Sequence, residues 1–149
     1  MELSDFLAAI AEGYRLRAGS RPGIDFTPAS EPMSTLGVPE RLTAVFENIL
    51  DNALSFSPSD GTVRLHLARQ GAWAVATVTD EGPGLPAGSE ELIFSRFYSY
   101  RPDRERNDDG HTGLGLALVK AIVEGYGGSV AAATRPEGGA VFTVRLPIV

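Results

Sequence analysis

The sequence contains no cysteine, which excludes disulfides, thiolate catalysis and cysteine-ligated zinc. No apolar run approaches the ~20 residues of a membrane span, and Asp5 and Glu12 interrupt the N-terminus, which argues against a signal peptide. Histidine is scarce, with His66 and His111 the two present, so there is no histidine cluster for a metal. Basic residues are in deficit: thirteen against nineteen acids leave a net charge of −6. That balance argues against broad nucleic-acid or anionic-membrane binding, yet permits a local basic site for phosphate. What remains is 149 residues, 43% hydrophobic, enough for one soluble domain with its own core and compatible with a reducing cytoplasm.

Glycine is abundant, and eleven of the seventeen glycines fall between Gly82 and Gly139. A glycine-rich second half implies tight turns or close approach of backbone to something else.

Leu3, Phe6, Leu7, Ile10, Ala11 and Tyr14 share one helical face, closed by Gly19 and Pro22, and resemble the end of a helix continuing from upstream. Ile24–Thr27 and Met33–Leu36 are short strand candidates among prolines 22, 28, 32 and 39. Pro39-Glu40 opens a second helix with the stripe Leu42, Val45, Phe46, Ile49, Leu50 and Ala53, ended at Ser57-Pro58. Strands over Thr62–Leu67 and Trp73–Asp80 meet at a turn near Gly71. Arg96–Asp109 is densely charged and without apolar period, which predicts a long loop. A third helix spans about Gly113 to Tyr126, with Leu114, Leu118, Ala121 and Ile122 on its core face and Gly127-Gly128 as stop. Ser129–Thr134 and Val141–Leu146 form a closing hairpin. The expected fold is α+β: a two-layer sandwich of three helices over one side of a mixed, mostly antiparallel sheet.

Three polar features stand out. Asn48, Asn52 and Ser55 form a ridge beside the apolar stripe of the second helix, and amide oxygens suit a hard cation such as Mg²⁺ shared with phosphates, although a solvated face is the simpler reading of that helix alone. Asp80 ends an otherwise apolar strand row and leads into Glu81-Gly82-Pro83-Gly84. Gly82, Gly84 and Ala87 superficially match a dinucleotide fingerprint, but Pro83 and Pro86 interrupt it and no apolar helix follows. Gly110-His111-Thr112-Gly113-Leu114-Gly115 enters a helix directly, and free amides at a helix start suit phosphate; no Walker lysine is present.

Taken together and in this order, these features closely resemble the ATP-binding catalytic domain of sensor histidine kinases, in the gyrase–Hsp90–kinase–MutL superfamily. F-E-N-I-L-D-N-A resembles the N box, Asp80, Gly82 and Gly84 the G1 box, and I-F-S-R-F-Y with Phe94, Phe97 and Tyr98 the F box. G-H-T-G-L-G-L-A-L-V-K resembles the G2 box, and Gly138-Gly139 the final glycine box. The likeness runs from about Leu36 to Pro147, and the whole of residues 1–149 is taken as one such domain; S-F-S-P and F-Y-S-Y-R-P further resemble ChvG-type kinases.

The resemblance implies a Bergerat ATP-binding fold and a protein-histidine kinase with ATP and Mg²⁺ as cofactors. Asp80 would accept the adenine amine, with Gly82 and Gly84 admitting backbone or water to the ring and Phe56 packing on it. Guanine presents a carbonyl where adenine has the amine, so two acceptors would oppose each other. Asn52 would ligate Mg²⁺ and Asn48 assist metal or phosphates, the two forming the catalytic pair. Thr112, Gly113, Leu114, Gly115 and Leu116 would offer amides to the phosphates, Tyr98 would line the site, and Arg96–Asp109 would close over it as a lid. Ser55 stands where the family commonly has lysine and Phe56 where it has tyrosine; Arg96 or Arg101 would supply the missing cation.

The implied partners are a dimerisation domain carrying the acceptor histidine, absent from this sequence, and indirectly a response regulator, with no nucleic acid and no direct membrane contact. The domain would be cytoplasmic and its parent protein in the bacterial inner membrane. The rival readings are an anti-sigma-factor serine kinase and a non-catalytic nucleotide-binding docking module. His66 reads as a surface residue, Glu47 as a solvated glutamate and Trp73 and Phe142 as packing.

Overall fold

Val63, Leu65 and Leu67 alternate with Arg64 and His66, and the computed structural model places the two sets on opposite faces of a strand, the first buried and the second exposed. The structure describes residues 1–17, 23–96 and 115–149. Along the chain these form α1 (Leu3–Arg15), β1 (Gly23–Thr27), α2 (Pro39–Phe56), β2 (Thr62–Gln70), β3 (Trp73–Thr79), a 3-10 turn (Leu92–Phe94), α3 (Gly115–Gly125), β4 (Ser129–Thr134) and β5 (Ala140–Pro147).

The sheet among the described residues has five strands in the order β1-β2-β3-β5-β4. β1 runs parallel to β2 and every other pairing is antiparallel. Register aligns the apolar rungs: Leu65 opposes Val78, which opposes Phe142, and Leu67 opposes Ala76, which opposes Val144. The three helices pack on that row. Leu42, Val45, Phe46, Ile49, Leu50 and Ala53 of α2 are all buried, as their spacing predicts. Each such large side chain contributes about 1.5–3 kcal/mol on burial. The expected two-layer α+β sandwich is therefore the observed one.

Two local expectations are corrected. Met33–Leu36 is not a strand of the sheet. Its backbone bonds go to the two chain ends instead: Leu3 N–H to Met33 O at 2.8 Å, Thr35 N–H to Met1 O at 3.0 Å and Val149 N–H to Ser34 O at 2.9 Å. In this chain α1 begins at Leu3. Glu2 is extended, and its carboxylate caps the helix by accepting from Ser4 N at 3.0 Å and Asp5 N at 2.9 Å. Lastly, α3 buries Leu116, Val119 and Val123, leaving Leu118 47% exposed and Ala121 at the surface. The helix is apolar on nearly every side, so its period does not select a face.

Candidate functional site

Asn48, Asn52 and Phe56 stand four residues apart on α2, so they form one ridge that spans about 12 Å at the α-helical rise. Each end of the ridge meets a glycine. At one end, a Cβ on Gly115 would lie 2.6 Å from Asn48 Oδ1. At the other, a Cβ on Gly82 would lie 2.7 Å from the Phe56 carbonyl oxygen. The start of α3 and the loop after β3 therefore close on the same edge of α2. Neither approach is open to a residue with a side chain unless a neighbour shifts.

The Asn48 end is polar and partly open. Asn48 Nδ2 donates to Ala44 O at 2.7 Å, which turns Oδ1 toward α3, and no donor among the described residues reaches that oxygen. Asn52 is 7% exposed, an unusual burial for an amide in mid-helix. Ser55 Oγ bonds back to Asn52 O at 2.9 Å. Among the described residues there is no group of three His, Cys, Asp or Glu that could hold a metal.

The Asp80 end is closed. Asp80 is 2% exposed and follows Ala76 and Val78 on the core face. Its Oδ1 accepts two backbone donors, Gly82 N–H at 2.9 Å and Ala140 N–H at 3.0 Å, while no donor among the described residues reaches Oδ2. Burial raises its pKa above the ordinary carboxylate value, against the two backbone N–H groups and the Arg135 guanidinium, which favour the charged form. The β4–β5 turn grips the segment throughout. Asp80 N donates to Ala140 O at 2.9 Å, and Arg135 Nη1 donates to Asp80 O at 3.2 Å. Leu85 N donates to Thr134 Oγ1 at 3.0 Å. Gly139 has φ +85°, and a Cβ there would collide with the Asp80 carbonyl oxygen. Gly84, at φ +86°, similarly lets Thr134 approach.

Of the residues singled out from the sequence, the structure brings together Asn48, Asn52, Phe56, Asp80, Gly82, Gly84, Gly115 and Leu116 around this edge. Arg96 is exposed, just after the turn at Leu92–Phe94. That turn is pinned by Phe94 against Phe142, ring centroids 6.2 Å apart at 78°. Phe97, Tyr98, Arg101, Thr112, Gly113 and Leu114, with most of the expected lid, lie outside the described residues. Arg135 and Thr134 were not singled out. Their contacts with the 80–85 segment cross about fifty residues of chain, and no local pattern encodes them. An open depression of about 880 Å³ beside β2, lined in part by His66 and Arg69, contains none of these residues.

Residues 37–149 match the family described as "Histidine kinase-, DNA gyrase B-, and HSP90-like ATPase". The chain is 40% identical over 110 residues to the sensor histidine kinase TmoS of Ectopseudomonas mendocina, covering 73% of this chain and 11% of that protein. Among solved structures it is similar to the mycobacterial sensor histidine kinase MprB, with a TM-score of 0.80, 28% identity, and coverage of 99% of this chain and 95% of that one. It is equally similar to full-length ShkA in complex with AMPPNP, with a TM-score of 0.80, 28% identity, and coverage of 100% of this chain and 30% of that one. The chain spans between 10% and 32% of the length of such curated relatives.

Proposed function

The chain belongs to the histidine kinase-, DNA gyrase B- and HSP90-like ATPase family, and from that premise we propose that it is the Mg·ATP-binding catalytic domain of a two-component sensor histidine kinase. The observation that carries the reading is the ridge on α2, polar at the partly open Asn48 and the buried Asn52 and meeting, at the half-buried Phe56, the loop that holds Asp80. Its length of about 12 Å suits a nucleotide laid along it, base at one end and phosphates at the other.

Adenine is bound at Asp80. Oδ2 accepts the exocyclic amine while Oδ1 stays bonded to Gly82 and Ala140 N–H. Guanine would set its carbonyl against that carboxylate, two acceptors with no proton between them. Phe56 and the glycine backbone at Gly82 and Gly84 flank the ring. The phosphates lie toward Asn48, Asn52 and the start of α3 at Gly115 and Leu116, where helix amides and dipole favour negative charge. Mg²⁺ would be held there by Asn52 with Asn48 assisting, and when bound it would neutralise charge on the phosphates. The amide oxygens present fit that cation: Asn48 Oδ1 already faces α3 with its amide nitrogen satisfied. The family resemblance assigns Arg96, Tyr98, Arg101 and Thr112–Leu114 to the phosphate side as well, all but Arg96 lying outside the described residues.

There is little covalent chemistry for this chain to perform. It orients the γ-phosphate and screens its charge while a histidine on a separate dimerisation domain attacks in line. Neither His66, exposed on β2, nor His111 serves as that acceptor. The reading places the domain on the cytoplasmic side of a kinase whose parent sits in the bacterial inner membrane and signals through a response regulator; no helix of the described residues is long and apolar enough to cross a membrane.

The test is incubation with radiolabelled ATP and Mg²⁺, alone and with a dimerisation-domain fragment from a related kinase. Acid-labile label on the fragment and none on this chain is expected, weak because the covalent tether is missing. Acid-labile label on the chain alone that disappears in His66→Ala or His111→Ala would contradict it. Label on a serine of a partner would favour an anti-sigma-factor kinase instead.

A further inference from the structure

Asp80 is buried, yet its reading as the adenine acceptor requires a carboxylate rather than a carboxylic acid. Two neutral backbone donors, Gly82 and Ala140, meet one of its oxygens. Among the described residues the charge that bears on it is that of Arg135, at the start of the β4–β5 turn. Arg135 Nη1 lies 3.2 Å from the Asp80 carbonyl oxygen, and the side chain is 23% exposed, so its charge is only partly screened by water. From the turn side, Glu137 approaches Arg135 Nε at 3.7 Å and is itself 65% exposed. The turn is closed behind Arg135 by Arg135 N–H to Gly139 O at 2.8 Å and Gly138 N–H to Arg135 O at 3.0 Å. On the other side of Asp80, Glu81 is drawn away to Arg64 of β2 at 3.3 Å.

We propose that Arg135 is a positioning residue for base recognition: anchored on the Asp80 carbonyl and held by Glu137, its guanidinium keeps the Asp80 carboxylate charged and seated for the adenine amine. The proposal rests on the reading of Asp80 given above. Its physical content is a balance of opposed effects. Removal from water favours the neutral acid, a nearby cation favours the anion, and the hairpin delivers that cation through a backbone contact rather than a direct ion pair. A direct pair would occupy the oxygen that the base needs. Anchoring on the carbonyl leaves Oδ2 open while the field still acts on it.

The experiment follows the Asp80 side-chain carboxyl by ¹³C NMR across pH in the nucleotide-free protein, with ATP affinity measured in parallel by calorimetry. Arg135→Gln keeps a donor for the Asp80 carbonyl and removes the charge. The Asp80 midpoint should move to higher pH, and the loss of ATP affinity should grow as pH falls through that midpoint. Arg135→Lys should restore most of both. Glu137→Gln provides the opposite sign, because the arginine field is no longer offset, and should move the midpoint to lower pH. An Asp80 midpoint unmoved by folded Arg135→Gln, or by Glu137→Gln if the first variant does not fold, would overturn the proposal. A midpoint that moves while ATP affinity stays level at every pH would keep the link from Arg135 to Asp80 and instead remove Asp80 from base recognition.

Discussion

The two ends of the α2 ridge are built by opposite means. At Asp80 the site is rigid: a buried carboxylate, two backbone donors on one oxygen, and a turn that fits only because Gly139 lacks a side chain. At Asn48 it is spare: an amide with one intrahelical bond, facing the first turn of α3 across a glycine. An adenine ring is flat and the same in every turnover, so a preformed slot loses little on binding it. On the proposed reading phosphates would arrive at the other end with a metal and leave altered, so that end would need adaptable oxygen donors more than a mould. Tyr14 braces the ridge from behind, donating to Asp51 Oδ1 at 2.7 Å and Glu47 O at 3.3 Å, and burial followed by the Asp51 bond pushes its hydroxyl pKa well up.

The largest effect should come from breaking the rigid end. Gly139→Val combines a φ of +85° with a clash against the Asp80 carbonyl, and should cost about 3 kcal/mol of stability or more, read by urea unfolding. Asp80→Asn should spare the fold and abolish measurable ATP binding. The Gly82 and Ala140 N–H groups fix the amide oxygen at the Oδ1 position, so its NH₂ must face the adenine amine, donor against donor, at a cost of about 1–3 kcal/mol or more. At the other end, Gly115→Ala places a methyl against Asn48 Oδ1, a side chain that can rotate away. Mg·ATP should weaken about fivefold, close to 1 kcal/mol, with adenosine unaffected.

A pH series sharpens the contrast. Because burial holds the Asp80 pKa above its unfolded value, adenosine binding should fail as pH drops through that raised titration. The sign for stability is the reverse: the contribution of Asp80 to folding is full below its unfolded pKa and declines as pH rises through the folded one. Adenosine carries no titrating phosphate, so calorimetry with it set beside thermal melting should show affinity lost in acid before the fold. The smallest effect is expected far from the ridge. Glu2→Ala removes the α1 cap, lowers stability by about 0.5–1 kcal/mol, and leaves both ends untouched.

How well the sequence could be read also divides along these lines. The stripe of α2 and the alternation in β2 have unambiguous periods, and both were legible together with the Asn48–Asn52 ridge and the Asp80 row. Glycine spacing disclosed the loop after β3, and the order of these features pointed to the family. The core face of α3 differs from the expected Leu118 and Ala121 because, apart from Lys120 and Glu124, the helix is apolar or small all round and more than one apolar stripe can be drawn on it. Met33–Leu36 has strand composition, but it pairs with Met1–Leu3 outside the sheet, a matter of tertiary placement. Arg135 escaped notice for the same reason: its role depends on a hairpin folding back onto a segment 55 residues earlier.

The claim that base and phosphates are recognised at separate ends is tested most directly by one calorimetric comparison. Wild type, Asp80→Asn and Asn52→Ala are each titrated with Mg·ATP and with adenosine. Asp80→Asn should lose both ligands, whereas Asn52→Ala should lose Mg·ATP by tenfold or more, about 1.4 kcal/mol, and keep adenosine at the wild-type affinity. Equal losses for both ligands in Asn52→Ala, or wild-type affinity for either in a folded Asp80→Asn, would contradict the account.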